Sequence, residues 1–392
     1  MNSKLQMTHV ISSDGSALSK ELIELRQQLF PPASQKTLRT FLSGETAKLI
    51  GIADAYLRQL SIGGKGPQPT IVNNRRSYTL EQINELRAFL DEGAKTRKYL
   101  PRRAGGEHCQ VLAVVNFKGG SGKTTTAAHL SQYLSLHGYR VLAVDLDPQA
   151  SLSALFGYQP EYDLKANETM YSAVRYDDLR RPLSEVIRPS YFAGLDIVPG
   201  NLELMEFEHD TPRALVEGTT DPFFSRMATA LGSVQDRYDV MVLDCPPQLG
   251  FLTLGALCAA TGLLVTVHPQ MLDVMSMCQF LLMAADLLTV VEESGGTLEY
   301  DFIRYIVTRY EPSDTPQTQM VAFMRSLFRE RVLTHPMLKS TAISDAGLSK
   351  QTLYEVGREN FTRQTYDRAL ESVDSVNGEI ESLMRQAWGR ET

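Results

Sequence analysis

The chain has 392 residues, 43% of them apolar and 22% charged, the balance of a soluble globular protein of two or three domains. The longest uninterrupted apolar run, Gly255 to Val267, reads as a helix end plus a strand, so a span of ~20 residues is not expected. A signal peptide is not expected either, and Cys109, Cys245, Cys258 and Cys278 lack the spacing of a metal knuckle or a disulfide framework, which points to a reducing cytoplasm. The net charge of −7 is unevenly spread: residues 1–108 carry 16 Lys and Arg against 10 Asp and Glu, residues 109–392 carry 23 against 36. A basic module in front of an acidic one is expected to meet an anionic partner such as DNA.

The first element in chain order is a helix over Ser19 to Phe30, where Leu22, Ile23, Leu25, Leu29 and Phe30 form one stripe. It is read as an arm over residues 1–35, for dimerisation or for packing on the next module. Residues 36–100 follow as a small α-helical winged helix-turn-helix domain. Ala47 and Leu49 face inward from a short helix, Gly51 makes the turn, Ile52 enters the core and Asp54 caps a second helix. That second helix would offer Tyr56, Arg58 and Gln59 to a major groove. Asn73 to Arg76 supply a wing with Arg75 and Arg76 at its edge, and Thr79 caps the helix that follows. A small helical domain with solvated arginines is the competing reading. Residues 101–108, Pro101 to His108, carry the Pro and Gly punctuation of a linker.

Residues 109–392 open with the strand Val111-Leu112-Ala113-Val114-Val115, the loop Lys118-Gly119-Gly120-Ser121-Gly122-Lys123-Thr124-Thr125 and a helical pattern from Thr124 to Leu136. Strand, glycine-rich loop and helix are the context of a phosphate site: glycines at positive φ turn backbone N–H groups onto phosphate oxygens at a helix N-terminus. Lys123 would reach the β and γ phosphates and the Thr124 hydroxyl would hold Mg²⁺. Phe117 stands where the opening glycine of the standard loop is expected, and Lys118 is an additional cation. Two further strands end in acid, one at Asp145-Leu146-Asp147-Pro148-Gln149 and one at Asp244-Cys245-Pro246-Pro247. In a parallel sheet such ends face the ligand crevice, so Asp145 and Asp147 are expected to point towards the phosphates. Leu195 to Asn201, Leu263 to Val267 and Phe302 to Thr308 supply later strands of a doubly wound, mostly parallel sheet. His268 follows one strand end as a structural loop histidine, and Arg309 follows the last strand near the base. Arg325, Arg329, Arg331, Lys339, Lys350, Arg358 and Arg363 are the cations available for DNA phosphates.

The loop from Lys118 to Thr125 resembles the deviant Walker A loop of the ParA and MinD group of dimerising ATPases. With Asp145 to Gln149, Asp244 to Pro247 and the module in front, the chain resembles the large ParA partition ATPases, and more narrowly the RepA partition proteins of repABC plasmids; residues 73–87 resemble the wing and helix of MerR-like modules. The resemblance implies a slow ATPase with ATP and Mg²⁺. Lys118 would serve the partner subunit's nucleotide, Asp147 the attacking water, and Asp244 the Mg²⁺. It further implies an ATP-bound homodimer on DNA without sequence preference, a centromere-binding ParB-like or RepB partner that stimulates hydrolysis, and an operator read by the N-terminal domain. Such a protein is cytoplasmic and nucleoid-associated, with no membrane partner. A MinD-like membrane regulator, a nitrogenase-type reductase and a nucleotide-switched repressor are the other readings. For the membrane reading, the C-terminal stripe of Ile380, Leu383, Met384 and Trp388 bears acid rather than base beside it.

Overall fold

The computed structural model describes residues 7–29, 36–72, 74–93, 98–218, 221–357 and 361–390, without the side chains of 22, 23, 25–29, 72, 161 and 348. The chain forms two compact units, Met1–Thr37 and Leu38–Thr392. The first holds one helix, α1 (Met7–Leu29), in which Met7, Ile11 and Leu18 are exposed. The stripe expected on it from Leu22 to Phe30 lies outside the described side chains.

In the second unit a strand β1 (Phe41–Leu42) leads into α2 (Ser43–Ile50) and α3 (Asp54–Ile62). Gly51 turns the chain between them in the left-handed region, φ 79°, where a Cβ is disfavoured. Thr46, Ala47 and Ile50 are buried on α2, with Leu49 and Ile52 packed partly against the same core. Asp54 does not cap α3: it is the helix's first residue and accepts a bond from the Ser43 hydroxyl. A hairpin of β2 (Thr70–Val72) and β3 (Arg75–Tyr78) completes an antiparallel sheet in the order β1-β3-β2. Helix α4 (Leu80–Glu92) starts at a capping box, Thr79 Oγ1 accepting from Gln82 N at 3.3 Å and Gln82 Oε1 from Thr79 N at 2.9 Å.

The rest of the unit is built on a second sheet. Its elements in chain order are β4 (Gln110–Val115), α5 (Lys123–Leu136), β5 (Val141–Asp145), α6 (Ser151–Leu155), α7 (Pro160–Asp163), α8 (Met170–Val174), β6 (Arg188–Pro189), β7 (Leu195–Val198), α9 (Met205–Glu217), α10 (Phe223–Gly232), β8 (Val240–Asp244), α11 (Phe251–Ala259), β9 (Gly262–Val267), α12 (Met271–Glu293), β10 (Phe302–Val307), α13 (Thr315–Phe328), α14 (Thr341–Leu348) and α15 (Arg363–Ala387). The order β10-β9-β4-β8-β5-β7-β6 is parallel except for β6, and its central strands are buried on both faces, which is why they read as continuous apolar runs. This is the expected doubly wound sheet, with helices on both faces. Helix α12 is long and apolar enough to cross a membrane by length and composition, although polar residues interrupt its apolar run. Met277, Phe280, Ala284 and Val291 on α12 belong to its buried side.

Residues 101–108 are bound into this unit. Arg390 donates to Pro101 O, Arg102 O and Glu107, Trp388 Nε1 donates to His108 O at 2.8 Å, and Arg103 reaches Tyr238 O and Gln235 O. Helix α15 buries Val373, Val376, Ile380 and Met384. Arg87 on α4, 1% exposed, joins the N-terminal segment to the larger sheet. It donates to Asn84 Oδ1 at 2.7 Å and to two carbonyls at helix ends, Leu49 O of α2 at 2.9 Å and Leu136 O of α5 at 2.6 Å.

Candidate nucleotide site

The loop between β4 and α5 wraps the N-terminus of α5. Gly120 (φ 76°) and Gly122 (φ 89°) adopt the left-handed region, while Gly119 does not; two glycines, not three, need positive φ. Thr308 packs on Gly122 and donates from Oγ1 to Ser121 O at 2.7 Å. Ser121 shares a bond with the Thr266 hydroxyl at 3.0 Å, and buried Asn116 donates to Thr266 O and accepts from Lys118 N at 3.2 Å. Asn116 and Thr308 were missed as loop supports: a residue just before a motif, or at the end of a strand two along, carries no local signal.

Gly119, Gly120, Gly122, Lys123, Thr124, Thr125, Asp147, Gln149, Pro247 and Arg309 line a cavity of about 540 Å³, closed opposite by Met337–Ser340 and α14. That volume is within the ~300–1,000 Å³ of small-molecule sites. Lys123, 6% exposed, donates to Lys118 O at 3.2 Å, and burial lowers its pKa against the pull of Asp244. Lys118 Nζ lies 2.7 Å from Asp273 Oδ2 at the start of α12.

Asp244 and Asp145 stand side by side at the ends of β8 and β5. Both Asp244 carboxylate oxygens are buried without a hydrogen-bond partner among the described residues. Burial, reinforced by the Asp145 charge, holds the carboxyl well above its usual range, while the nearby Thr124 hydroxyl and Lys123 act the other way. An orphaned carboxylate beside a threonine hydroxyl and a lysine is a donor set that suits Mg²⁺ with phosphate oxygens.

Asp145 corrects the expectation for that strand end. It is fully buried and does not line the cavity, Oδ2 accepting from Ser153 N at 2.8 Å and Ser153 Oγ at 2.7 Å, Oδ1 from Asp147 N at 3.2 Å. Burial pushes its carboxyl up to about 6 against those bonds. It positions the acid turn and the start of α6, and Asp147 is the member that lines the cavity. Gly200, in the turn Pro199-Gly200-Asn201, supports the same place: its N–H donates to Ser153 Oγ, and a Cβ there would lie 2.9 Å from Asp145 O.

Of the residues selected for DNA, Tyr56, Arg58 and Gln59 are exposed on α3, Arg75 is exposed and Arg76 half-buried on β3. Arg329 and Arg331 flank a short turn after α13, Arg325 donates to Thr334 O at 2.7 Å, and Arg363 pairs with Asp367 along α15. Lys339 is exposed, paired with Glu311 at 2.8 Å, and also lines the nucleotide cavity, because the segment after Val332 runs beside β10 to the loop. Arg358 lies outside the described residues. His268 is 9% exposed, its pKa lowered by burial and then by the Arg309 charge.

A deviant phosphate loop, an orphaned Mg²⁺-type carboxylate and an acid turn on a doubly wound sheet define a P-loop nucleotide-binding protein. The AAA domain family matches residues 109–292. A replication protein A of Rhizobium rhizogenes is 55% identical over 98% of this chain and 96% of its own length, and protein SopA of Escherichia coli K12 is 30% identical over 91% and 92%. Among solved structures a partition protein aligns over 95% of this chain and 98% of its own with a TM-score of 0.66 at 18% identity. The chain belongs to the ParA family of partition ATPases, in the replication protein A branch of repABC type. Solved structures of this fold hold ATP or ADP with magnesium.

Proposed function

We propose that the chain is an ATP-dependent plasmid partition protein that hydrolyses ATP slowly as a homodimer. The observation that carries the reading is the buried, unpartnered Asp244 carboxylate facing Thr124 and Lys123. In this reading Thr124 and Asp244 hold Mg²⁺, which supplies charge neutralisation on the phosphates when bound. Backbone N–H groups from Gly119 to Thr125 cradle the phosphates, and Lys123 takes the β and γ oxygens. Asp147 orients water, and the half-exposed Lys118 leaves Asp273 to reach the second subunit's nucleotide. Among the described residues that line the cavity Asp147 is the one carboxylate and no histidine occurs, which fits a nucleotide used as a timer.

The N-terminal segment acts as a winged helix-turn-helix that reads an operator and represses the protein's own operon. The exposed Tyr56, Arg58 and Gln59 on a helix after a glycine turn, and Arg75 and Arg76 on the following hairpin, support this. Arg329 and Arg331 contribute non-specific contacts to DNA phosphates in the ATP state, and a ParB-like partner stimulates hydrolysis. The protein then works in the cytoplasm on the nucleoid.

The test is fluorescence anisotropy of a random-sequence duplex with ATP, ADP or no nucleotide at one salt concentration. Binding only with ATP, lost in Lys123→Ala, is expected. Binding indifferent to nucleotide would leave a repressor with another use for its ATP site, and no binding would favour a membrane-directed regulator.

A further inference from the structure

Arg309 follows β10 in the left-handed backbone region, φ 51°, which costs a side chain that is neither Gly nor Asn and persists only where the surroundings impose it. Here the surroundings are explicit. Thr308 N donates to Val267 O at 2.9 Å, Tyr310 N to Met337 O at 3.0 Å, and the Thr308 hydroxyl is tied to the phosphate loop, so the backbone on either side of Arg309 is fixed. The resulting turn sends the guanidinium to the loop: Nη1 donates to Gly120 O at 3.2 Å, and the side chain lines the nucleotide cavity. The cations on either side of it are neutralised, Lys118 by Asp273 at 2.7 Å and Lys339 by Glu311 at 2.8 Å. Among the described residues no carboxylate pairs with Arg309.

We infer that Arg309 is a further nucleotide-binding residue, a guanidinium arm parked on Gly120 O that transfers to the polyphosphate of the bound nucleotide. The inference rests on the nucleotide reading of this cavity and adds the ligand's di- or triphosphate as the group that Arg309 takes. A neutral carbonyl is a weak partner for a guanidinium, and a phosphate offers two oxygens to its planar fork in a charge-assisted bond. The Gly120 carbonyl belongs to the loop whose N–H groups face the phosphates, so the transfer needs side-chain rotation and no backbone movement. The strained turn is thereby explained as an aiming device. It places the arginine on the phosphate loop, whereas chain order alone had suggested the base.

The test uses full-length protein, fluorescent mant-ATP, mant-ADP and mant-AMP in Mg²⁺ buffer, and melting of the nucleotide-free protein. Arg309→Gly should weaken ATP and ADP about tenfold or more, the scale of one charge-assisted hydrogen bond, with AMP little changed and Arg309→Lys intermediate. Its nucleotide-free melting temperature should stay level or rise, because glycine adopts φ 51° without strain; a loss of binding with undiminished folding is what a merely structural arginine would not give. Unchanged ATP and ADP affinity in Arg309→Gly beside a wild type that binds both would overturn the inference alone. Equal losses for AMP and ATP would also overturn it, by moving the arginine to the base. A wild type that binds no nucleotide would overturn this inference and the ATPase reading together.

Discussion

Arg87→Met removes the buried side chain that fastens α4 to the ends of α2 and α5, and its effect follows from opposing terms. Three acceptors lose their donor: Leu136 O, Leu49 O and Asn84 Oδ1, bonded at 2.6, 2.9 and 2.7 Å. A buried acceptor left without a partner costs about 1–3 kcal/mol, so the three together amount to about 6 kcal/mol. Against this, burial pulls the Arg87 pKa down to about 10, and releasing that penalty offsets about 3 kcal/mol at roughly 1.4 kcal/mol per unit. The acceptors win, and the expected destabilisation is about 3 kcal/mol. The charge penalty is constant below about pH 10, since the guanidinium is protonated in both states there, so the loss should be the same at pH 6 and pH 8. Urea unfolding followed by tryptophan fluorescence suits the measurement, because Trp388 belongs to the same core. A loss under about 1 kcal/mol, or one that changes across that pH range, would refute the reasoning.

Gly200→Ala should reduce ATP turnover more than nucleotide affinity: its Cβ would lie 2.9 Å from Asp145 O and 3.1 Å from Asp147 O, overpacking that costs about 1–3 kcal/mol and displaces the acid turn. Steady-state kinetics beside mant-ADP binding separates the two effects, and unchanged turnover would count against the turn's role. His129 donates from Nδ1 to Thr125 O and accepts at Nε2 from Leu353 N, so it is held neutral, and burial lowers its pKa as it does for His137. The unfolded chain then takes up protons that the native state refuses, so this stability is present in full above about pH 6.5 and falls below it; urea midpoints at pH 5.5 and 7.5 should show the slope, and His129→Gln should flatten it. Asp145, pushed up to about 6, contributes the opposite slope, because its native carboxyl binds a proton more readily than the unfolded one. Asp244→Asn replaces a buried carboxyl that is costly to ionise and should leave the melting temperature of the nucleotide-free protein level or raised while abolishing the further rise with Mg²⁺ and ATP; a fall in the first or survival of the second would contradict the role assigned to Asp244.

The phosphate loop was legible because its chemistry is local: glycines, lysine and threonine at fixed spacing between a strand and a helix need nothing from the rest of the chain. The same holds for Thr79, whose capping box with Gln82 spans four positions. Asp145 and Asp147 show where that legibility stops. Two acids at a strand end look equivalent in sequence, and only Ser153 and Gly200, brought in by α6 and the turn after β7, decide which one faces the cavity. The place of Lys339 at the cavity was not legible because the run of residues 332–338 along β10 is a long-range pairing without periodicity. Arg87 was invisible for a related reason, since an arginine on an amphipathic helix reads as solvated until the helix acquires a second neighbour.

That second neighbour gives α5 its character. A helix that packs on a sheet normally keeps a polar outer face, yet from Thr126 to Leu136 every residue of α5 is buried, including Thr126, His129, Ser131, Gln132 and Ser135. Each of those polar groups has a partner: Ser131 on Ala127 O, Ser135 on Ala193 O, and Gln132 in a cluster with Glu355 and Thr352. Tyr133 and Tyr139 share Glu381 of α15, and Arg87 closes the C-terminal carbonyls of the helix. The element whose N-terminus forms the phosphate cradle is therefore gripped at its other end by the C-terminal helix and by the segment that carries Tyr56, Arg58 and Arg75. A displacement of the loop cannot be absorbed by sliding α5 over a solvated face. Arg87 ties α4 to the C-terminal end of α5, so the packing of the N-terminal segment and of the phosphate-loop helix shares one buried side chain.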